Sequence, residues 1–112
     1  MPIGNVRLYE NVSIVYPAEK DIFVYHAILD KKTTGRIKWD RSKRLLPGSL
    51  LVFSSNNFVS AYYAIVHMRD EKLLSSKSTI KIVFQDELPE QGLMDDTKYI
   101  MLECEVYFEA YR

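Results

Sequence analysis

The sequence predicts a mainly β protein, a small antiparallel β-barrel of about six strands with a short C-terminal helix. Three observations carry that prediction. Apolar residues make up 47% of the 112 positions and charged residues 27%, the balance of a chain that can close one hydrophobic core. β-Branched and aromatic residues gather in short runs, and each run is ended by a polar or Pro/Gly-bearing turn. Helical spacing occurs only at the end, where Tyr107 and Tyr111 stand four residues apart.

The first run, Val6 to Tyr16, reads as a strand interrupted at Glu10-Asn11 and ended by Pro17. Ile22 to Leu29 follows and can pair with it as a hairpin. Lys31 to Arg44 is a polar connection, closed by the turn signal Pro47-Gly48. Ser49 to Ser54 reads as a buried strand, Ser55-Asn56-Asn57 as a turn, and Phe58 to Met68 as a further strand. A polar interval, Arg69 to Ser78, leads into Ile80–Phe84, where alternation resumes. Pro89 and Gly92 break the chain before the last strand, Tyr99 to Cys104, and residues 106–112 form the helix. Closing the sheet on itself would remove its edges. With no repeat, low-complexity tract or linker, residues 1–112 read as a single domain.

Lys plus Arg and Asp plus Glu number 15 each, so electrostatic binding has to come from local clustering. One cysteine, Cys104, precludes an internal disulfide and fits a reducing compartment. No run is long and apolar enough to span a bilayer, and the first residues lack signal-peptide character, so no membrane partner is expected.

Four glycines, at 4, 35, 48 and 92, do not spell a phosphate-binding loop or a dinucleotide fingerprint. His26 and His67 have no nucleophile at a useful spacing, and they read as core or surface histidines. Asp95-Asp96 and the pair Glu103 and Glu105 read as solvated carboxylates, in a turn and on an outward strand face. Cys104, between two glutamates, reads as a structural thiol. No catalytic residue, metal site or cofactor is therefore assigned.

One local feature points outward. Between residues 31 and 44 stand Lys31, Lys32, Arg36, Lys38, Arg41, Lys43 and Arg44 against the single acid Asp40, with Trp39 among them. Arg36, Lys38, Arg41, Lys43 and Arg44 are candidates to neutralise phosphates and Trp39 to stack on a base. Equally, Trp39 can plug the barrel, because a buried tryptophan is common in small β-domains. Acids gather toward the other end of the sequence, from Asp86 to Glu109, which makes the domain electrically two-sided. Tyr62, Tyr63, Tyr107 and Tyr111 are candidates for docking a protein.

Particular residues also carry a family likeness: Trp39 with Ser42-Lys43-Arg44-Leu45-Leu46, then Gly48-Ser49-Leu50, Asn57-Phe58, Ala64-Ile65-Val66 and Arg69, and finally Tyr107-Phe108-Glu109-Ala110-Tyr111-Arg112. In this order they resemble the segment just before the motor of NFX-type zinc-finger helicases, Upf-like superfamily 1 enzymes of small-RNA silencing and heterochromatin assembly. The likeness covers nearly the whole chain, which stops before the ATP-binding loop, the acidic motif and the zinc fingers. It implies a non-catalytic accessory barrel excised from a larger ATP-dependent RNA helicase, located in the nucleus or in cytoplasmic granules. Weak, sequence-independent contact with RNA is the function it implies, beside the adjacent helicase core and proteins of a silencing complex as partners. The alternative is a docking module that recruits one of those proteins.

Overall fold

Residues 6–15, 24–85 and 97–104 are described by the computed structural model. Six strands form: β1 (Val6–Val15), β2 (Val24–Ile28), β3 (Leu50–Ser54), β4 (Tyr62–Met68), β5 (Thr79–Phe84) and β6 (Tyr99–Cys104). They close into an antiparallel barrel in the order β1-β2-β5-β4-β3-β6, with β6 paired back onto β1. The predicted barrel and strand number are therefore found, and β1 and β2 form the expected hairpin, with Ile14 opposite Ala27. The helix read over 106–112 lies outside the described residues.

Side-chain alternation explains the closure. Tyr9, Val12 and Ile14 from β1 point inward with Leu51 and Phe53 from β3, Ala64 and Val66 from β4, Ile80 and Ile82 from β5, and Tyr99 and Met101 from β6. At one end of this interior Phe53 packs on Phe84 and Tyr99, with ring centroids 5.6 and 6.4 Å apart, and Tyr25 meets Phe84 edge-on at 5.2 Å.

The interruption expected at Glu10-Asn11 is a β-bulge. Between Tyr9, opposite Met101, and Val12, opposite Tyr99, β1 carries one residue more than β6. Asn11 absorbs it in the left-handed conformation, at φ 57°, which asparagine tolerates better than most residues. The extra residue lets Tyr9 and Val12 both face the core.

Two elements depart from the sequence reading. The connection after β2 opens with a helical turn, α1 (Lys31–Thr34), and the polar interval 69–78 contains a helix, α2 (Glu71–Lys77). Both are started by an aspartate: Asp30 accepts from the Lys32 N–H, and Asp70 from those of Lys72 and Leu73. Leu74 buries α2 against the barrel, and Thr34 and Ser78 share a buried 2.7 Å hydrogen bond beside it. Polar composition concealed a short capped helix that a single leucine anchors. Phe58 to Ala61, read as strand, form a turn over Ser54, whose hydroxyl accepts from the Asn56 and Phe58 N–H groups.

Replacing Phe53 by Ala removes the ring on which Phe84 and Tyr99 pack, and should lower stability by about 3–5 kcal/mol in urea denaturation.

Candidate nucleic-acid interface

Barrel topology sorts the charges. β1, β3 and β5 begin, and β2, β4 and β6 finish, at the same end. Both helix-bearing connections, residues 29–49 and 69–78, cross this end. They contain ten Lys and Arg against four Asp and Glu. Strand ends joined by the acidic stretch 86–96 lie at the opposite end. A chain with no net charge thus carries ten of its fifteen Lys and Arg on the connections that cross one rim.

Arg69, next to β4, holds the cationic connection in place. Its Nη2 donates to the carbonyls of Trp39 (2.7 Å) and Ser42 (2.9 Å), and its guanidinium lies 5.5 Å from the Trp39 ring. Nη1 is paired with Glu71 of α2 at 3.2 Å. The loop, α2 and β4 are joined through one side chain. Trp39 is only 4% exposed and belongs to the hydrophobic cluster, so its ring supports the loop from inside and presents no face for a base.

A second anchor is Glu103, 1% exposed on β6. The reading of Glu103 as a solvated carboxylate is thereby corrected: it shares the inward face with Tyr99 and Met101, two and four residues before it. Such a carboxylate needs partners. Tyr9 Oη donates to its Oε1 at 2.8 Å, the Leu45 N–H donates to its Oε2 at 2.6 Å, and Arg7 Nη1 lies 3.6 Å away. Leu45 is fully buried and left-handed, at φ 56°, a conformation that costs a branched residue about 1 kcal/mol or more. Burial and the bond to Glu103 offset that strain and fix the path of the loop.

Arg44, beside Leu45, is drawn into the same cluster. Its Nη1 donates to Tyr9 Oη at 3.4 Å, and its guanidinium sits 6.0 Å from the Tyr9 ring centroid. Burial, followed by the nearby charge of Glu103, holds the Tyr9 hydroxyl well above the usual tyrosine range. Asp30 is held below its ordinary value, chiefly by the Lys32 N–H it accepts.

Among the RNA-binding candidates, Arg36, Lys38, Arg41 and Lys43 are exposed, Arg44 is half-buried and Trp39 is buried. Of the docking candidates, Tyr63 is exposed on the outer face, whereas Tyr62 packs against the core. Tyr107 and Tyr111 lie outside the described residues. Tyr9, Glu103 and Arg69, which hold the rim together, were missed. The two-residue spacing Tyr99-Met101-Glu103 was the available signal for one of them.

Fold and rim together define a small closed antiparallel barrel with one cationic end. The sequence matches the ZNFX1 domain family over residues 2–105, and the chain belongs to that family. It is 32% identical to the NFX1-type zinc finger-containing protein 1 of Mus musculus and 31% identical to that of Homo sapiens, over 113 aligned residues and 96% of this chain in each case. The chain spans about 6% of the length of these relatives. No solved structure matches it. The likeness read from Trp39 to Arg69 is thus shown at the level of the family.

Two predictions follow from the Glu103 cluster. Glu103→Ala should cost about 3 kcal/mol or more, because it leaves the Tyr9 hydroxyl proton and the Leu45 N–H without their buried acceptor and removes the counter-charge 3.6 Å from Arg7; Glu103→Gln, which keeps one acceptor, should cost less, with urea midpoints as the measure. Folding raises the Tyr9 pKa, so the stability it contributes is complete below about pH 10, the unfolded value, and declines as pH rises above it. The advantage of the wild type over Tyr9→Phe should therefore shrink above pH 10 in parallel denaturation curves.

Proposed function

We propose that this barrel is a non-catalytic accessory domain of a larger ATP-dependent RNA helicase acting in RNA-directed silencing, and that it modulates the motor's grip by touching RNA phosphates with its cationic rim. The observation that carries the reading is the gathering of Arg36, Lys38, Arg41, Lys43 and Arg44 on a loop fixed at Trp39 and Leu45, at the barrel end away from the strand ends that the acidic stretch joins. Contacts of this kind neutralise a backbone without reading bases, so binding should be weak, salt-sensitive and largely independent of sequence. The helicase setting and the silencing role rest on the resemblance carried by the motifs from Trp39 to Arg69; family membership adds that the relatives are NFX1-type zinc finger-containing proteins far longer than this chain.

A second reading is favoured by a separate observation. Leu8, Leu102, Val52 and Tyr63 lie directly opposite one another across β1, β6, β3 and β4, and Val6, Cys104, Leu50 and Ile65 form a parallel row. All eight point away from the core and none is charged; Val6, Leu8 and Tyr63 are 52%, 56% and 42% exposed. A contiguous apolar outer face of this kind suits docking against another domain of the same polypeptide, where tethering supplies a high effective concentration. RNA contact at the rim and docking on the side are compatible.

For the rim, fluorescence anisotropy with a short single-stranded RNA across a salt series should show affinity falling with salt, and Lys38→Gln/Lys43→Gln should lower the slope of log K against log salt by about 1.4. Unchanged affinity and slope would remove the rim from the RNA interface. For the side, Leu8→Lys/Tyr63→Lys should leave the isolated barrel's urea midpoint nearly unchanged while exposing the barrel to protease within the longer polypeptide; equal protection in both proteins would refute docking.

A further inference from the structure

Of the clefts on the cationic rim, one between Trp39 and α2 mixes Lys38 and Lys72 with Asp40 and Glu71, whereas another is lined without an acid. Between α1 and Arg44 lies a cleft of about 340 Å³ lined by Lys32, Thr33, Arg36, Ile37 and Arg44. Three of its five lining residues are cations and none is an acid. Lys32 and Arg36, four residues apart across α1 and the turn that continues it, present their side chains to the same side. Among the described residues neither makes an ion pair. Lys32 stood in the basic stretch but not among the candidates to neutralise phosphates, because only the helical turn brings it beside Arg36.

Arg44 differs from the other two in being held. Its guanidinium bonds to the Tyr9 hydroxyl, an uncharged partner, and Tyr9 is fixed in turn on Glu103. The buried carboxylate has Arg7 as its own counter-charge, at 3.6 Å, and it also anchors the backbone of Leu45, the next residue. Arg44 is thus positioned without being neutralised. A pre-placed guanidinium with free donors, two lysine and arginine arms and the Thr33 hydroxyl make a set suited to a tetrahedral, multiply charged oxyanion.

We propose that this cleft seats one phosphoryl group, and that in the RNA-bound state this is a phosphodiester of the strand, with Arg44 as the fixed contact and Lys32 and Arg36 closing over it. The occupant rests on the RNA reading of the rim; the cleft rests on its own lining. It makes the rim more than a diffuse field, since one backbone position is registered against the barrel while Lys38 and Lys43 contribute unspecific attraction.

The test titrates inorganic phosphate into the isotope-labelled chain at constant ionic strength and follows amide and arginine side-chain NMR signals, then repeats the titration with the short RNA. Saturable shifts confined to Thr33, Arg36, Ile37 and Arg44, lost in Lys32→Gln/Arg36→Gln and retained in Lys38→Gln/Lys43→Gln, would support the cleft. Arg44→Gln should weaken phosphate binding roughly tenfold; the Lys32/Arg36 variant, which leaves the Glu103 cluster intact, keeps the test valid if Arg44→Gln disturbs the fold. Shifts spread equally over Lys38 and Lys43, or undiminished in Lys32→Gln/Arg36→Gln, would overturn the cleft even where RNA still binds. Phosphate binding in the cleft with no displacement by RNA would overturn the assigned occupant while leaving an anion site in place; the RNA reading of the rim itself falls only if the salt series with Lys38→Gln/Lys43→Gln shows no change.

Discussion

The Glu103 carboxylate, closed inside the barrel where only 1% of the residue is exposed, is the constraint on which the cationic rim depends. A carboxylate there is tolerable only if its oxygens are fully engaged, and the engagements run to two separate parts of the chain: Tyr9 and Arg7 on β1, and the backbone of Leu45 in the long connection. β1 and β6 are already neighbours through their backbones. Leu45 is not part of the sheet, and the bond from Glu103 is what holds this strained residue and its loop over the barrel end. Arg44 inherits its position from that bond.

Arg69 does the same for the other half of the loop. It ties Trp39 and Ser42 to the end of β4 and to Glu71 on α2, so the seven-residue span from Trp39 to Leu45 is secured near both ends. Exposed lysines and arginines between and beside these anchors stand on a rigid base. Rigidity matters for binding a polyanion, because side chains whose backbone is already placed lose less freedom on contact. Buried Trp39 contributes through packing beneath the cations, where a solvent-facing tryptophan would have added a stacking surface.

The barrel separates its surfaces by kind. Two thirds of the cations lie on the connections across one rim, the acidic stretch 86–96 joins strands at the other, and an uncharged band crosses four strands from Val6 and Leu8 to Tyr63 and Ile65. Equal numbers of acids and bases in the whole chain conceal this arrangement entirely. A domain so divided presents two surfaces of different chemistry, one basic and one apolar, which is why the two proposed contacts do not compete.

The six strands, the hairpin, the break at Glu10-Asn11 and the basic stretch were determined by the sequence itself, apart from the start of β4 at Tyr62 where the strand was read from Phe58, since period-two alternation and turn chemistry are local properties of neighbouring residues. The family likeness was legible for the same reason, being carried by ordered short motifs. Only the tertiary structure decided which polar residues were solvated. Glu103 and Arg69 look like surface charges in a list of residues, and they become anchors because strands distant in sequence bring a hydroxyl, a backbone N–H or a pair of carbonyls within hydrogen-bonding reach. Likewise α2 forms where composition indicated a loop, because Asp70 caps it and Leu74 finds a core to enter. The cleft at Lys32, Arg36 and Arg44 could not be read from spacing, since the fold brings Arg44 to the first two, beside a Leu45 bonded to a carboxylate 58 residues away.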